Sequence, residues 1–275
     1  DVAHLGAGAG CPALLLTIQG RITADVRVAA LADALLLDVD VRLRDAFVAA
    51  LEQLLIADDV ELGAPVEPVA LLGVAGPDAG RVVRAGEVPP FGHTNVEIAG
   101  TAVRVVQASE VGGPGFVLHV PTGSIDRVWD ACVAAGARPC GMDALEGRRV
   151  EVGIPRIGVD GDEKTIALEL PLDGAVSQTK GCYLGQEVIA RGTARGHVNR
   201  RLAGLVLEGP LPPVGSALVR DGKDAGLVTT VVQAFGAGGS AALGIVRREW
   251  WEPGTELAVP HGHAITIARV ISATG

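Results

Sequence analysis

The octapeptide KGCYLGQE, at Lys180–Glu187, places two glycines around the thiol of Cys182 and the ring of Tyr183, directly after a lysine. A packed apolar core does not need this mixture at consecutive positions. Glycine permits unusual backbone angles or the close approach of another group. The cationic neighbour, together with a helix starting within Gly185–Ala190, would favour the thiolate of Cys182. The alternative is a tight turn whose cysteine is merely buried, because most free cysteines are small core residues.

Composition restricts the class of protein. Of the 275 residues 48% are hydrophobic but only 3% are aromatic, so aliphatic side chains must build the core. Every apolar run is shorter than the ~20 residues of a membrane-spanning helix, and no signal peptide is visible. The net charge of −9 argues against non-specific nucleic-acid binding. The four cysteines form no CxxC pair, which favours a reducing cytoplasm over a disulfide framework or a zinc site.

Residues 1–95 are predicted to form a first α+β lobe. Apolar runs, strict alternation and helical spacing of leucines identify its elements. They are a hairpin of Ala13–Ile18 and Ile22–Val28 around Gln19-Gly20, a strand at Leu35–Val39, a helix over about Arg42–Ala57, and a strand at Val69–Val74 that completes the unit.

Residues 96–198 are predicted to form a second α+β lobe that carries the octapeptide. Strands at Ala102–Gln107 and Phe116–Val120 flank a glycine-rich turn, and a helix is expected to begin after Ser124. Its inward residues should be Ile125, Val128, Trp129, Cys132 and Val133, and core packing is also expected for Cys140. A further helix should start at Met142–Leu145.

Residues 199–275 read as a small antiparallel barrel. Short strands recur at near-regular spacing, separated by turns and without a good helix. They are expected at Leu202–Leu207, Ser216–Arg220, Ala225–Val232, Ala241–Val246, Glu256–Val259 and Ala264–Ile271.

Three further segments carry candidate chemistry. The pair His261 and His263 lacks a third ligand nearby, so a turn between strands is preferred over a metal site.

The arginine run of residues 191–201 fits either a clamp for an anionic ligand tail or a solvated face. Its first member, Arg191, and Glu187 have the spacing of a helical ion pair. The stretch 149–155 alternates in polarity, which suggests a strand edge with Glu151 inward; the alternative is a surface strand with Arg149 and Glu151 as an exposed pair.

Three segments together resemble a known family. The octapeptide Lys180–Glu187, the stretch Arg149–Pro155 and the turn Gln19–Ile22 resemble motifs of the YgfZ-type folate-binding proteins, relatives of the glycine-cleavage T-protein (aminomethyltransferase). The motifs lie in the family's order, so the resemblance covers nearly the whole chain. Asp1-Val2 resembles the end of a family stretch, and an N-terminal strand and helix are therefore expected to be missing.

The resemblance implies an α+β, T-protein-like fold, with two α+β lobes around a central folate pocket and a C-terminal antiparallel β-barrel. Glu151 matches the glutamate that reads the pterin ring, and Cys182 is the expected reactive atom. The remaining residues assigned to tetrahydrofolate, or another reduced folate, are Asp25, Lys180, Tyr183, Gln186, Glu187 and Arg191.

The function implied is that of a cytoplasmic, monomeric folate-binding factor in iron–sulfur cluster assembly or repair. It would support cluster-dependent enzymes, including those that thiomethylate tRNA, with iron–sulfur proteins as partners and without direct nucleic-acid contact. The alternative is a folate-dependent aminomethyl or one-carbon transferase acting on a small amine. T-proteins carry two consecutive aspartates on the first hairpin, and here the pair is Ala24-Asp25, which weakens that alternative. A third hypothesis, an RNA- or partner-binding protein using the arginine run and the barrel, is disfavoured by the acidic charge.

Overall fold

The computed structural model describes residues 1–64, 68–195, 198–233 and 239–273. The chain divides into two compact units. Unit 1 comprises Asp1–Leu14 and Ala24–Cys140, and unit 2 comprises Leu15–Thr23 and Gly141–Gly275. The turn of the first hairpin therefore belongs to the second unit, although it lies far from it in sequence. The boundaries expected near residues 95 and 198 stay predictions. No helix in the described ranges is long and apolar enough to cross a membrane.

The first sheet has three strands, in the order β1-β2-β3. They are β1 (Gly10–Leu16), β2 (Ile22–Ala30) and β3 (Leu35–Asp38). Along β2 the small and apolar residues are buried and the intervening Asp25 and Arg27 are half-buried, as the alternation predicts. Helix α1 (Arg44–Glu52) buries Phe47 and is shorter than predicted.

The second sheet of unit 1 has four antiparallel strands, in the order β4-β7-β6-β5. Its elements are β4 (Val69–Ala75), α2 (Ala79–Val83), β5 (His93–Ile98), β6 (Thr101–Val106) and β7 (Gly115–Pro121). The prediction that β4 completes the first sheet is wrong, because β4 pairs with β7 along its whole length. Neither α2 nor β5 is predicted from the sequence.

Helix α3 (Ile125–Ala134) packs against the second sheet. Val128 and Cys132 lie in the core, as predicted. Trp129 and Val133 are 39% and 38% exposed, so their predicted inward position is wrong. Each follows a buried residue, Val128 or Cys132, by one position, so it lies at the side of the helix face that packs against the sheet. Cys140 is exposed, contrary to the prediction of core packing, and all four cysteines are free.

The described residues of unit 2 form two α-helices and a closed barrel. The helices are α4 (Met142–Glu151) and α5 (Gln186–Arg195). The barrel strands are β8 (Arg200–Glu208), β9 (Ala217–Arg220), β10 (Lys223–Gln233), β11 (Ser240–Arg247), β12 (Glu256–His261) and β13 (Ala264–Ala273). Their order is β10-β11-β8-β13-β12-β9, which confirms the predicted antiparallel barrel.

The barrel interior is aliphatic. Leu205, Leu218, Val228 and Leu257 are fully buried and belong to one core cluster. The turn from β12 to β13 contains Gly262 and follows His261, so this histidine pair lies at a strand turn, as preferred. In the described part of the chain no group of three histidine, cysteine or acidic residues could hold a metal ion.

Candidate functional site

The first six residues of the octapeptide form a compact loop, and its last two, Gln186 and Glu187, begin α5. The hydroxyl oxygen of Ser177 accepts a hydrogen bond from the backbone N–H of Lys180 at 3.1 Å, and the Tyr183 hydroxyl donates to the carbonyl of Ser177 at 3.3 Å. The ammonium of Lys180 lies 5.4 Å from the centre of the Tyr183 ring, within the range of a cation–π contact. The loop is therefore closed on itself, with Lys180 and Tyr183 side by side.

Gly185 docks this loop onto the turn of the first hairpin. Its φ is +79°, and a Cβ atom there would lie 2.7 Å from the Thr17 carbonyl oxygen and 2.8 Å from the Cα of Gly20. Gly20 has a φ of +72°, and a Cβ on it would lie 3.0 Å from the Cβ of Val188. Only glycines permit this approach. Two of the segments that carry the family resemblance are thus in direct contact within unit 2.

Cys182 lies at the exposed surface of this loop, three positions before the end of the octapeptide's turn at Gly185. Helix α5 begins at Gln186, so Cys182 precedes the helix rather than lying in its first turn. Because Cys182 is exposed, the alternative of a buried structural cysteine is wrong. The exposed thiol is accessible to a reactant, which is the property that a redox or ligand-binding role requires.

Glu151 is the last residue of α4, and the predicted strand edge with an inward carboxylate is wrong. Its side chain is 38% exposed and forms an ion pair with Arg148 at 3.2 Å. The predicted alternative of an exposed Arg149–Glu151 pair is also wrong, because Arg149 is 2% exposed. The alternating stretch Arg-Val-Glu-Val ends a helix whose buried residues include Arg149 and Val150.

A buried polar network surrounds Arg149. Its guanidinium Nη1 donates to Asp160 at 2.6 Å, and Glu146 accepts from Nε and Nη2 at 3.1 and 3.0 Å. Burial by itself lowers the pKa of Arg149, but the hydrogen bond to Glu146 and the charge of Asp160 together raise it above its usual value. Glu146 and Asp160 are not among the predicted site residues; a buried arginine is costly without a counter-charge, but its burial is not visible in the sequence.

The arginine run does not form one clamp. Arg191 pairs with Glu187 at 3.3 Å on the exposed side of α5, which confirms the predicted helical pair. Arg200 pairs with Glu169 at 2.8 Å, and the guanidinium of Arg201 lies 4.8 Å from the centre of the Trp251 ring. The side chain of Arg195 lies outside the described residues. These arginines therefore have separate partners.

Asp25 lies in unit 1, on β2, and is half-buried. Burial raises the pKa of its carboxyl above the usual value; Asp40 and Glu110 add to this rise, and Arg27 opposes it. Such a carboxyl can exchange a proton closer to neutral pH than an exposed aspartate.

The partners of Arg27 form a second polar cluster in unit 1. Arg27 binds Asp38 at 2.7 Å and Glu110 at 3.1 Å, and the Nε2 atom of His119 lies 3.9 Å from Asp38. Burial lowers the pKa of His119, so its imidazole is neutral at pH 7. No local motif signals this cluster, because its members come from separate strands and a loop.

Two concavities in unit 1 contain none of the predicted site residues. One of about 10 Å³, lined by Arg27, Asp38, Phe91 and His119 among others, has room for one water molecule. An open groove of about 400 Å³ lies between the ends of α2 and α3 and the β5–β6 turn. Of the residues predicted to bind folate or to react, Asp25 lies in unit 1 and all the others lie in unit 2.

Two family descriptions match the chain. The GCVT N-terminal domain matches residues 1–180, and the glycine cleavage T-protein C-terminal barrel domain matches residues 200–274. The second match coincides with strands β8–β13.

Curated relatives are longer than this chain. A chloroplastic protein of Arabidopsis thaliana, provisionally named a transferase, is 28% identical over 272 residues, which is 96% of this chain and 61% of that protein. The aminomethyltransferase of Synechococcus sp. (strain RCC307) is 29% identical over 268 residues, covering 94% of this chain and 74% of that protein. The aminomethyltransferase of Thermus thermophilus is 32% identical over 182 residues, 62% of this chain and 49% of that protein.

A solved structure has the same fold. The glycine cleavage system aminomethyltransferase T from Bartonella henselae superposes with a TM-score of 0.83 at 22% identity, covering 99% of this chain and 77% of that one. The expected fold class, α+β of the T-protein type with a C-terminal antiparallel barrel, is confirmed.

Proposed function

Because the chain belongs to the glycine cleavage T-protein family, we propose that it binds a reduced folate, with tetrahydrofolate as the expected form. The observation that carries this proposal is the placement of Glu151. Its carboxylate is accessible at the end of α4, while the adjacent Arg149 and Val150 are buried and fix the helix end. An accessible carboxylate on a rigid element can accept hydrogen bonds from a planar heterocycle without first rearranging the backbone.

The chemistry of Glu151 fits the pterin ring. The ring presents two adjacent N–H groups, and a carboxylate can accept both in a charge-assisted pair. Arg148 contacts Oε2 of Glu151, and this surface pair leaves the side chain 38% exposed. Such an ion pair is weak, so exchanging it for a ligand costs little.

The octapeptide and α5 supply complementary groups for the rest of the ligand. The Tyr183 ring offers an aromatic face, and Lys180 and Arg191 offer cations for the glutamate tail. Gln186 and Glu187 begin α5 and offer amide and carboxylate groups beside them. These assignments belong to unit 2 alone.

Equilibrium dialysis with tetrahydrofolate tests this function. We expect saturable binding by the wild type and a roughly 10- to 100-fold weaker affinity for Glu151→Gln, because hydrogen bonds to a charged group contribute about 1.5–3 kcal/mol. Glu208→Gln is the matched control, since Glu208 is another exposed glutamate of unit 2 that pairs with an arginine. If the wild type does not bind, the proposed function is wrong.

We further propose that the protein acts in iron–sulfur cluster assembly or repair, in the cytoplasm and as a monomer, with cluster-dependent enzymes as partners. An exposed, free Cys182 within the octapeptide supports this role. Ala24 also supports it, because this residue is fully buried where T-proteins carry the first aspartate of their pair. In a strain lacking the protein, wild type should restore tRNA thiomethylation and Cys182→Ala should not. Full rescue by Cys182→Ala would make the thiol structural only.

One observation favours the alternative of a folate-dependent one-carbon transferase acting on a small amine. The raised pKa of Asp25 suits a group that exchanges a proton with an amine. Mass spectrometry of reactions with tetrahydrofolate and a panel of N-methyl amino acids tests it. Folate-dependent turnover that Asp25→Asn abolishes would establish the transferase, and no turnover with any amine would reject it.

A further inference from the structure

The guanidinium of Arg149 uses all of its donors inside unit 2. Nη1 donates to the Ile154 carbonyl and to Asp160, both at 2.6 Å. Nη2 donates to Glu146 at 3.0 Å and to Thr230 at 3.3 Å, and Nε donates to Glu146 at 3.1 Å. Arginine has five N–H groups, so every donor of this buried side chain has a partner.

Asp160 connects Arg149 to the barrel. Its Oδ1 accepts from the hydroxyls of Thr229 and Thr230, each at 2.6 Å, and its Oδ2 accepts from Arg149 and from the backbone N–H of Arg156. Neighbouring residues of a strand normally face opposite sides. Here the register of β10 shifts between Val228 and Thr230, and this bulge allows both threonines to reach one carboxylate.

The other end of the network fixes the chain around Glu151. The Arg149 bond to the Ile154 carbonyl spans the end of α4, and the Ile154 N–H donates back to the Arg149 carbonyl at 3.1 Å. Gly153, with a φ of +74°, turns the chain between them. Glu151 lies inside this closed turn, so its backbone position depends on Arg149.

Stability alone does not account for such a network. Well-packed apolar residues often replace a buried ion network without loss of stability, because burying the charges is costly. An apolar side chain at position 149 could not hold the Ile154 carbonyl, and the turn would lose its tie to the barrel. What the network contributes, and an apolar core would not, is that it fixes the position of the C-terminal end of α4.

We propose that the bulge of β10, acting through Thr230, Asp160 and Arg149, holds Glu151 in the orientation that binds the pterin, so that the barrel serves as part of the folate site. This inference rests on the proposed function. It makes Arg149, Asp160 and Thr230 positioning residues, which act on the ligand through Glu151 and do not touch it.

The test is a double-variant cycle read by tetrahydrofolate affinity. Thr230→Val keeps the branched shape but removes the hydroxyl, and it should weaken binding about tenfold. Added to Glu151→Gln, it should weaken binding less than about twofold further, because the group it positions is already gone. A merely structural role would give the same loss in both backgrounds.

Thr266→Val is the matched control. Thr266 is a fully buried barrel threonine whose hydroxyl contacts His261 and the Pro210 carbonyl, away from α4. It should reduce the melting temperature and leave affinity unchanged. The inference is wrong if Thr230→Val binds as the wild type does, if Thr266→Val weakens binding equally, or if the cycle is additive. If Glu151→Gln itself binds normally, the proposed role of Glu151 fails, and this inference fails with it.

Discussion

At the scale of single residues, Gly185 has the clearest physical requirement. Its positive φ and its contact with the backbone of Thr17 and Gly20 leave no room for a side chain. The family motif thus contains at least one residue that serves the structure of unit 2 and not its chemistry.

We predict that Gly185→Ala destabilises unit 2 by about 2–4 kcal/mol, since it combines backbone strain with overpacking against main-chain atoms. Urea unfolding measures this change. Gly181→Ala is the control within the same motif, because Gly181 has open space around its Cα and no positive φ. It should change stability by less than about 0.5 kcal/mol. Equal effects of the two variants would contradict the docking of Gly185 onto the hairpin.

Asp25 gives a prediction about pH. Its folded-state pKa is raised, chiefly by burial, above the value of about 3.9 that an unfolded chain has. The folded state therefore holds the proton in a window where the unfolded state has lost it, and stability falls as pH rises through that window. Asp25→Asn removes this dependence, so its stability relative to wild type should increase from about pH 3 to pH 7. Stability curves of the two proteins that run parallel with pH would contradict it.

At the scale of elements, α4 depends on the barrel for the partners of its buried arginine. Each carboxylate oxygen of Asp160 accepts two hydrogen bonds, and the residue is 1% exposed. Asp160 and Glu146 together supply the negative charge beside Arg149 inside unit 2.

Asp160→Asn should destabilise unit 2 by about 3–5 kcal/mol, because it leaves a buried cation without its full counter-charge. Denaturant unfolding followed by the tryptophans of the barrel measures this loss. Asp221→Asn is the control: Asp221 is 72% exposed and lies 3.7 Å from Arg220. That variant should lose less than about 1 kcal/mol. A small effect at Asp160 would mean that the network is not needed to hold α4.

The elements differ in how far the sequence predicts them. The six barrel strands are identified by local alternation and turn residues, whereas their order, with β8 between β11 and β13, has no local signal. The place of β4 could not be predicted, because its partner β7 is distant in sequence. The end of α4 misled the prediction because Arg149-Val-Glu-Val alternates as a strand would, while the tertiary network keeps it helical.

In the candidate site, too, local patterns are visible in the sequence and the tertiary partners are not. The octapeptide and its cysteine are visible as a local mixture of unusual residues. Glu110, which affects Asp25, comes from a distant segment, and Asp160 lies in the loop after α4, where no sequence pattern marks it as the partner of Arg149.

At the scale of the whole molecule, two matched domains place the chain in the glycine cleavage T-protein family, and the proposed ligand is a reduced folate. A ligand that binds only the folded state must stabilise it. At a tetrahydrofolate concentration of about 100 Kd, we expect about 2.7 kcal/mol of stabilisation and a rise of several degrees in melting temperature. Glu151→Gln should show a smaller rise at the same concentration. An unchanged melting temperature of the wild type would contradict folate binding.

The central claim is that Glu151 reads the pterin of a reduced folate. Calorimetric titration of wild type and Glu151→Gln with tetrahydrofolate, at one pH and salt concentration, tests it most directly. We expect binding by the wild type and a Kd about 10- to 100-fold higher for the variant, with its melting temperature preserved. Equal dissociation constants for the two proteins would contradict it.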